Sequence, residues 1–231
     1  ADIDRKRKEL LEKKIKIIDF SIGDPDLPTP SSIIKTMKQA LDVADYYRYP
    51  FGPGDNILRR KIVQWLKKRF NVDLNWEKEI YILIGSKEGL AHINSAFIDH
   101  SDIVLCPEPA YPVYKASTIL SEGKNYFLPL KEENNFLPDL NPIPEKVAKK
   151  AKLLFLNYPN NPTGAVATDE FFKRVVDFAK RYNIIVIHDN AYSEIYEKNK
   201  PISFLQIDGA KEVGVEFHSF SKTYNMTGWR I

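Results

Sequence analysis

Residues 152–189 read Lys152-Leu-Leu-Phe-Leu156-Asn-Tyr-Pro-Asn-Asn161-Pro-Thr-Gly164, then Ala165-Val-Ala-Thr168, then a stretch from Asp169 to Tyr182 with apolar residues at helical spacing, then Ile184-Ile-Val-Ile187-His-Asp189. A short unbroken apolar run, a rigid turn, an amphipathic helix with Thr168 as its cap and a second apolar run make one βαβ unit. Runs without polar alternation fit strands covered on both faces, as in a parallel sheet.

The same alternation extends outward in both directions. Upstream, the pattern predicts strands over Ile80 to Ile84, Ile103 to Cys106 and Tyr126 to Leu128, with helices near 87–99 and near 112–122, the latter ending at Gly123. Downstream, Val213 to Phe217 predicts another strand, its Val213-Gly-Val-Glu-Phe217 alternating. Strands alternating with helices give an α/β fold, a mostly parallel sheet flanked by helices. Residues 1–16 are charged, with a weak helical stripe of Leu10, Leu11 and Ile15. The loop Asp19-Phe-Ser-Ile-Gly23-Asp-Pro-Asp-Leu-Pro-Thr-Pro30 is fixed by three prolines. A helix over 31–44 follows, capped by Ser31 or Ser32, whose stripe of Ile33, Ile34, Met37 and Leu41 is expected in the core. A Tyr- and Gly-rich loop over 45–54 precedes another helix carrying Leu58, Ile62, Trp65, Leu66 and Phe70. The expected division is 1–45 as an N-terminal arm with part of a small domain, and 46–231 as a large domain incomplete at its C-terminus.

Composition excludes several classes of function. The chain has 231 residues, 43% apolar, enough for a substantial core. Its net charge is only +3 and its basic residues are dispersed, which does not indicate nucleic acid or a membrane surface. A single Cys106 forms no intramolecular disulfide, and no apolar leader or long apolar run is seen, so the expected location is the cytoplasm. No G-x-G-x-x-G, P-loop, H-E-x-x-H or nucleophile elbow occurs, and no metal site is expected.

In open α/β sheets ligands sit beyond the carboxyl ends of the strands. The residues at those positions form a set. Gly85-Ser86-Lys87-Glu-Gly89 opens a helix and offers backbone N–H groups and a hydroxyl to an anion, though it also serves as an ordinary cap. Tyr111 stands after Ile103 to Cys106, either a packed ring or a platform for a flat heterocycle. Asn161 sits in a rigid turn. Asp189 ends a buried run and Tyr192 follows it; a carboxylate there needs a cationic partner, or else serves as a cap. The terminal stretch His218-Ser219-Phe-Ser221-Lys222-Thr-Tyr-Asn-Met-Thr-Gly-Trp-Arg230 places an amine between hydroxyls and a guanidinium. An aldehyde cofactor bearing a phosphate asks for that combination, so Lys222 is the candidate covalent anchor of pyridoxal phosphate.

Together Gly85-Ser-Lys, Asn161-Pro-Thr-Gly, Asp189-x-x-Tyr192, Ser219-x-Ser-Lys222 and Arg230 resemble the fold-type I pyridoxal phosphate enzymes of the class I/II aminotransferase family. Within it, Gly23-Asp-Pro-Asp-Leu-Pro-Thr-Pro30, Gly85 to His92, Phe155 to Val166 and His218 to Ile231 are most similar to the LL-diaminopimelate aminotransferases. The resemblance covers essentially all 231 residues. It departs at Pro109-Ala110 before Tyr111 and at Asn190 after Asp189.

The resemblance implies the large cofactor-binding domain of the aspartate aminotransferase-like fold and transamination between an amino acid, LL-2,6-diaminopimelate, and an oxo acid, 2-oxoglutarate, in lysine biosynthesis. It implies Lys222, Asp189 and Tyr192 as catalytic residues. Pyridoxal phosphate would be held by Tyr49, Ser86, Lys87, Tyr111, Asn161, Asp189, Tyr192, Ser219, Ser221, Lys222 and Arg230, and substrate by Gly23, Lys87, Tyr111 and Asn161. Tyr49 would reach the phosphate of a partner subunit, so a homodimer is expected. Alternatives are an aminotransferase of other specificity (alanine, aspartate or aromatic), a carbon-sulfur lyase, or a sensor domain of a regulator, which would require a DNA-binding module. Related enzymes continue beyond the position of Ile231 with a further strand, a long helix and a small domain carrying a carboxylate-binding arginine. A longer polypeptide or a complementing chain is therefore expected, and without it Ile33, Ile34, Met37 and Leu41 of the 31–44 helix are expected to lie exposed where the small domain would cover them.

Overall fold

The computed structural model describes residues 2–18, 23–49 and 52–231. Residues Asp19 to Ile22 of the first loop, and Pro50 and Phe51 of the second, lie outside the described residues. Five strands form one sheet: β1 (Ile103–Glu108), β2 (Lys124–Pro129), β3 (Ala151–Asn157), β4 (Ile185–Asp189) and β5 (Gly214–Phe217). Their order is β2-β1-β3-β4-β5, and every pairing is parallel. Around them run α1 (Asp2–Glu12), α2 (Ser31–Ala40), α3 (Asn56–Phe70), α4 (Ser86–Phe97), α5 (Pro112–Leu120), α6 (Glu145–Ala148), α7 (Asp169–Tyr182), α8 (Ala210–Val213) and α9 (Phe220–Thr223).

The unbroken run in β3 is explained by its two covers. Leu154 and Leu156 pack in one cluster with Phe171, Phe172, Val175, Val176 and Ala179 of α7. Leu153 and Phe155 point the other way, into a cluster with Leu90 of α4 and Tyr114 of α5. Side chains alternate across a strand, so a strand covered on both faces must be apolar at every position. Each fully buried Leu or Phe contributes roughly 2 kcal/mol of hydrophobic stabilisation. The helix α7 begins and ends where its sequence signals. The Thr168 hydroxyl accepts from Phe171 N–H at 3.2 Å, and Asn183 closes the helix in the left-handed region at φ 55°.

Three expectations are corrected. Residues 80–84 are extended but form no strand. Ile82 N–H donates to the Pro53 carbonyl at 2.9 Å, and Ile84 N–H donates to the Glu88 carboxylate at 2.6 Å. A cleft of about 880 Å³, lined by Ile80, Ile82, Leu83, Val215 and Phe217 among others, opens between this segment and β5. No described strand lies alongside to complete a ladder. The helix expected over 31–44 ends at Ala40, and a 3-10 turn covers Ala44–Tyr47. Its N-cap is Pro30, without a side-chain cap, because neither Ser31 nor Ser32 precedes the first helical residue. Its stripe is bare, as expected where no small domain covers it: Ile34, Met37 and Leu41 are exposed. The apolar periodicity was satisfied without a packing partner among the described residues.

Candidate active site

Register brings the strand ends to one level. Asn157 pairs with Asp189 across β3 and β4, and Asp189 pairs with Phe217 across β4 and β5. The turn after β3 is then fixed by its own amides. Asn157 Nδ2 donates to the Asp189 carbonyl at 2.7 Å, and Asn157 Oδ1 accepts from Asn161 N–H at 2.7 Å. Asn160 Oδ1 accepts from both the N–H and the hydroxyl of Thr163, at 3.1 and 2.8 Å. Asn161 is thereby presented with its side chain exposed, 3.5 Å from the Tyr192 hydroxyl, to which its Nδ2 donates. These two groups stand side by side as donors for one oxygen.

Asp189 is buried, and its two carboxylate oxygens differ. Oδ2 accepts from the Tyr114 hydroxyl at 2.7 Å. Oδ1 is buried with no hydrogen-bond partner. Burial pushes the carboxyl up to about 6, against the opposing effects of the Tyr114 hydroxyl, charge on His188 and the Ala191 N–H. Tyr114 itself is raised, first by burial and then by the adjacent carboxylate. A buried carboxylate oxygen aimed at nothing costs free energy until a donor, best a cationic N–H, is placed against it. Tyr192, half-buried, is raised by burial and by the Asp189 charge, so its phenol keeps its proton and can donate.

Above this level Tyr111 caps α5, its ring packed edge-on to Tyr114 at 5.9 Å between centroids. Tyr114 in turn stacks on Phe155 at 4.7 Å, so the partly buried Tyr111 ring rests on a buried pair. The Lys87 ammonium lies 6.0 Å from the centre of the Tyr111 ring. Ser86 opens α4 after Gly85, whose φ of 75° suits glycine. A Cβ on Gly85 would lie 2.6 Å from Arg230 Nη2, so the guanidinium rests over the bare backbone there. Arg230 Nη1 also donates to the Thr227 carbonyl at 2.8 Å. Ser219 caps α9, its hydroxyl accepting from Ser221 N–H at 3.1 Å. One turn into α9, Lys222 donates from Nζ to the Gly23 carbonyl at 2.5 Å. Thr29 and Asn225 secure that approach, the Thr29 hydroxyl donating to the Asn225 carbonyl at 2.6 Å.

Of the residues singled out in the sequence, contacts join Asn161 to Tyr192, Lys222 to Gly23, Lys87 to Tyr111, and Arg230 to the Gly85-Ser86 turn. Tyr49 is 84% exposed, on the loop ahead of α3. Three residues escaped the sequence reading: Tyr114, which reads as core on α5, and His188 and Glu216. The side chain of Glu216, in the alternating run of β5, is 1% exposed. The one available signal for Tyr114 was its spacing, a single helical turn after Tyr111.

The model of the family described as aminotransferase class I and II matches residues 15–231. The chain belongs to the class I and II aminotransferases. Among proteins similar to this aminotransferase, the LL-diaminopimelate aminotransferase of Aquifex aeolicus is 56% identical over 232 aligned residues, covering 100% of this chain and 60% of that protein. That of Syntrophobacter fumaroxidans is 51% identical with the same coverage. Substrate-bound BacF from Bacillus subtilis superposes with a TM-score of 0.94 at 42% identity, covering 99% of this chain and 57% of that one. The probable N-succinyldiaminopimelate aminotransferase from Thermus thermophilus gives a TM-score of 0.92 at 37% identity, covering 99% and 61%. The chain thus spans about 60% of the length of the relatives it matches.

The family is pyridoxal phosphate-dependent, and the residues present fit that group. The partnerless Asp189 Oδ1 suits a protonated ring nitrogen, the Asn161 and Tyr192 donors suit a ring oxygen, and the bare Gly85 turn beneath Arg230 suits a phosphate.

Proposed function

We propose that the chain carries the cofactor-binding part of an aminotransferase that moves an amino group from LL-2,6-diaminopimelate to 2-oxoglutarate, a step of lysine biosynthesis. The observation that carries the reading is the buried Oδ1 of Asp189 at the strand ends, which has no hydrogen-bond partner although Oδ2 accepts from the Tyr114 hydroxyl at 2.7 Å. The substrate class is supported by the names of the relatives in Aquifex aeolicus and Syntrophobacter fumaroxidans.

In this reading bound pyridoxal phosphate would supply an electron sink for the electron pair left on the substrate Cα when its proton is taken. Asp189 holds a proton on the ring nitrogen. Lys222 provides the anchoring amine and, once displaced by substrate, moves the proton to and from Cα. Asn161 and Tyr192 donate to the ring oxygen, and Tyr111 covers one ring face. The hydroxyls of Ser86, Ser219 and Ser221, with Lys87 and Arg230, hold the phosphate. Tyr49 serves the phosphate of the partner subunit in a homodimer. Gly23, already at the Lys222 amine, borders the substrate, with Lys87, Tyr111 and Asn161.

The test is steady-state amino transfer by the full-length protein against a panel of LL-2,6-diaminopimelate, alanine, aspartate and aromatic amino acids, each with 2-oxoglutarate. The expected outcome is a kcat/KM for diaminopimelate at least tenfold above the rest. A preference for another donor, or elimination in place of transfer, would overturn the substrate assignment.

A further inference from the structure

On the face of β4 opposite Tyr114 lies a buried cluster that the proposed chemistry does not use. His188 is 0% exposed, its ring edge-on to Phe172 at 5.1 Å and near Phe204 at 6.3 Å. Its Nε2 lies 3.1 Å from the Tyr158 carbonyl, and its Nδ1 lies 3.4 Å from Oε1 of Glu216 on β5. Both neighbours are acceptors and neither can donate. A neutral imidazole has one N–H and one lone pair, so it would turn a lone pair onto an oxygen at one end or the other. Nδ1 makes no hydrogen bond among the described residues, so its 3.4 Å approach to the carboxylate is favourable only as an ion pair.

Glu216 is built to be an anion. Asn190 Nδ2 and the Ser203 hydroxyl donate to its two oxygens, and Leu205 N–H approaches Oε2 at 3.4 Å. Against burial, His188 above all, then charge on His218 and the Ser203 hydroxyl, hold its carboxyl down at about 2. The other ionisable neighbour is His218, whose Nε2 lies 3.5 Å from Glu216 Oε1. Its charged form is disfavoured, first by burial and also by charge on His188, while Glu216 and Glu194 act the other way. Glu194 is itself paired with Arg69 at 2.9 Å. His188 faces this carboxylate from the position next to Asp189 in β4.

We propose that Glu216 and His188 form a buried carboxylate–imidazolium pair that keeps Asp189 ionised across the β4 backbone, making both of them positioning residues for the active site. Asp189 then has two supports on opposite faces of the sheet, the Tyr114 hydroxyl on one and the His188 charge on the other. Each offsets part of the desolvation that burial imposes on the carboxylate. Asn190, a departure from the small residue common in the family, is part of the same device, because its amide fixes Glu216 beneath the strand. Its backbone N–H meanwhile donates to the Phe217 carbonyl at 2.8 Å, tying the ends of β4 and β5 together.

The inference concerns the charge of Asp189, and it rests on the proposed function only for the use to which that charge is put. It is tested first on full-length protein without cofactor. Nitrogen NMR of histidine-labelled protein at neutral pH should show both ring nitrogens of His188 protonated, assigned by loss of the signals in His188→Gln. One aprotic nitrogen on His188 would overturn the proposal, whatever the variants do. Carbon NMR of labelled Asp189 carboxylate should then show its midpoint rising by about one unit or more, a tenfold gain in proton affinity, in His188→Gln and in the near-isosteric Glu216→Gln. An unchanged midpoint in either variant, if folded, would also overturn it. Asp189→Asn in the cofactor-loaded protein separates the two ideas. Undiminished cofactor affinity there would sink the role given to Asp189, and would leave the buried pair standing on the NMR result.

Discussion

The two oxygens of Asp189 have unequal surroundings, and the inequality has a measurable consequence for stability. Its folded midpoint is raised from 3.8 to about 6, chiefly by burial. For a raised acid, the favourable contribution is complete below the unfolded value and is lost as pH rises through the folded one. In cofactor-free protein the charged carboxylate is thus a burden above about pH 6. Asp189→Asn should stabilise that form by on the order of 2 kcal/mol at neutral pH and by almost nothing near pH 4, read from urea midpoints. Glu216 acts in the opposite direction: its midpoint is depressed, so its contribution is present above the unfolded value and disappears as pH falls through about 2. A flat pH dependence of the Asp189→Asn difference would mean that the carboxylate is solvated.

At the scale of elements, the turn into α4 illustrates how backbone and side chain share a task. Gly85 adopts φ 75°, ψ 150°, and its missing Cβ leaves room for the Arg230 guanidinium. Gly85→Ala adds both backbone strain, on the order of 1–3 kcal/mol, and a displaced arginine. The expected result is cofactor affinity lowered at least tenfold, measured by equilibrium dialysis, with the fold retained by circular dichroism. Unaltered affinity would remove this turn from the phosphate site. Most of these elements were legible in the sequence because burial has a period. The β3 run and the α7 stripe are written by which faces are covered, and Thr168 and Asn183 mark the ends of α7. Residues 80–84 carry the same apolar signal without a ladder partner, since periodicity reports burial and not pairing. The α2 stripe is a related case: Met37 and Leu41 are spaced for a partner that the described residues do not contain, and both are exposed, as expected without a covering small domain. In the site, hydroxyls, amides and the amine were visible as residue types placed after strands. Tyr114, His188 and Glu216 were not, because their roles depend on register between β3, β4 and β5 and on which face each side chain takes.

For the whole molecule, the site is distributed over parts of the chain far apart in sequence. Gly23 meets Lys222 across a separation of 199 residues, and Tyr114 meets Asp189 across 75. Only the complete sheet, with its parallel crossovers, brings these groups to one edge. The exposed Tyr49 extends the account to a second copy. When full-length Tyr49→Phe and Lys222→Ala proteins are mixed under conditions that exchange subunits, hybrid dimers should recover activity above that of either parent. The hybrid carries one site with both native residues, so recovery of nothing in demonstrated hybrids would confine Tyr49 to its own subunit. The claim on which all of this depends is that the strand ends converge on Lys222 as the anchor of pyridoxal phosphate. Borohydride reduction of the loaded full-length protein, followed by peptide mass mapping, tests it most directly. The label should fall on the peptide containing Lys222 at about one per chain. Label on any other lysine, or none in a protein that binds the cofactor in equal amount, would contradict the account.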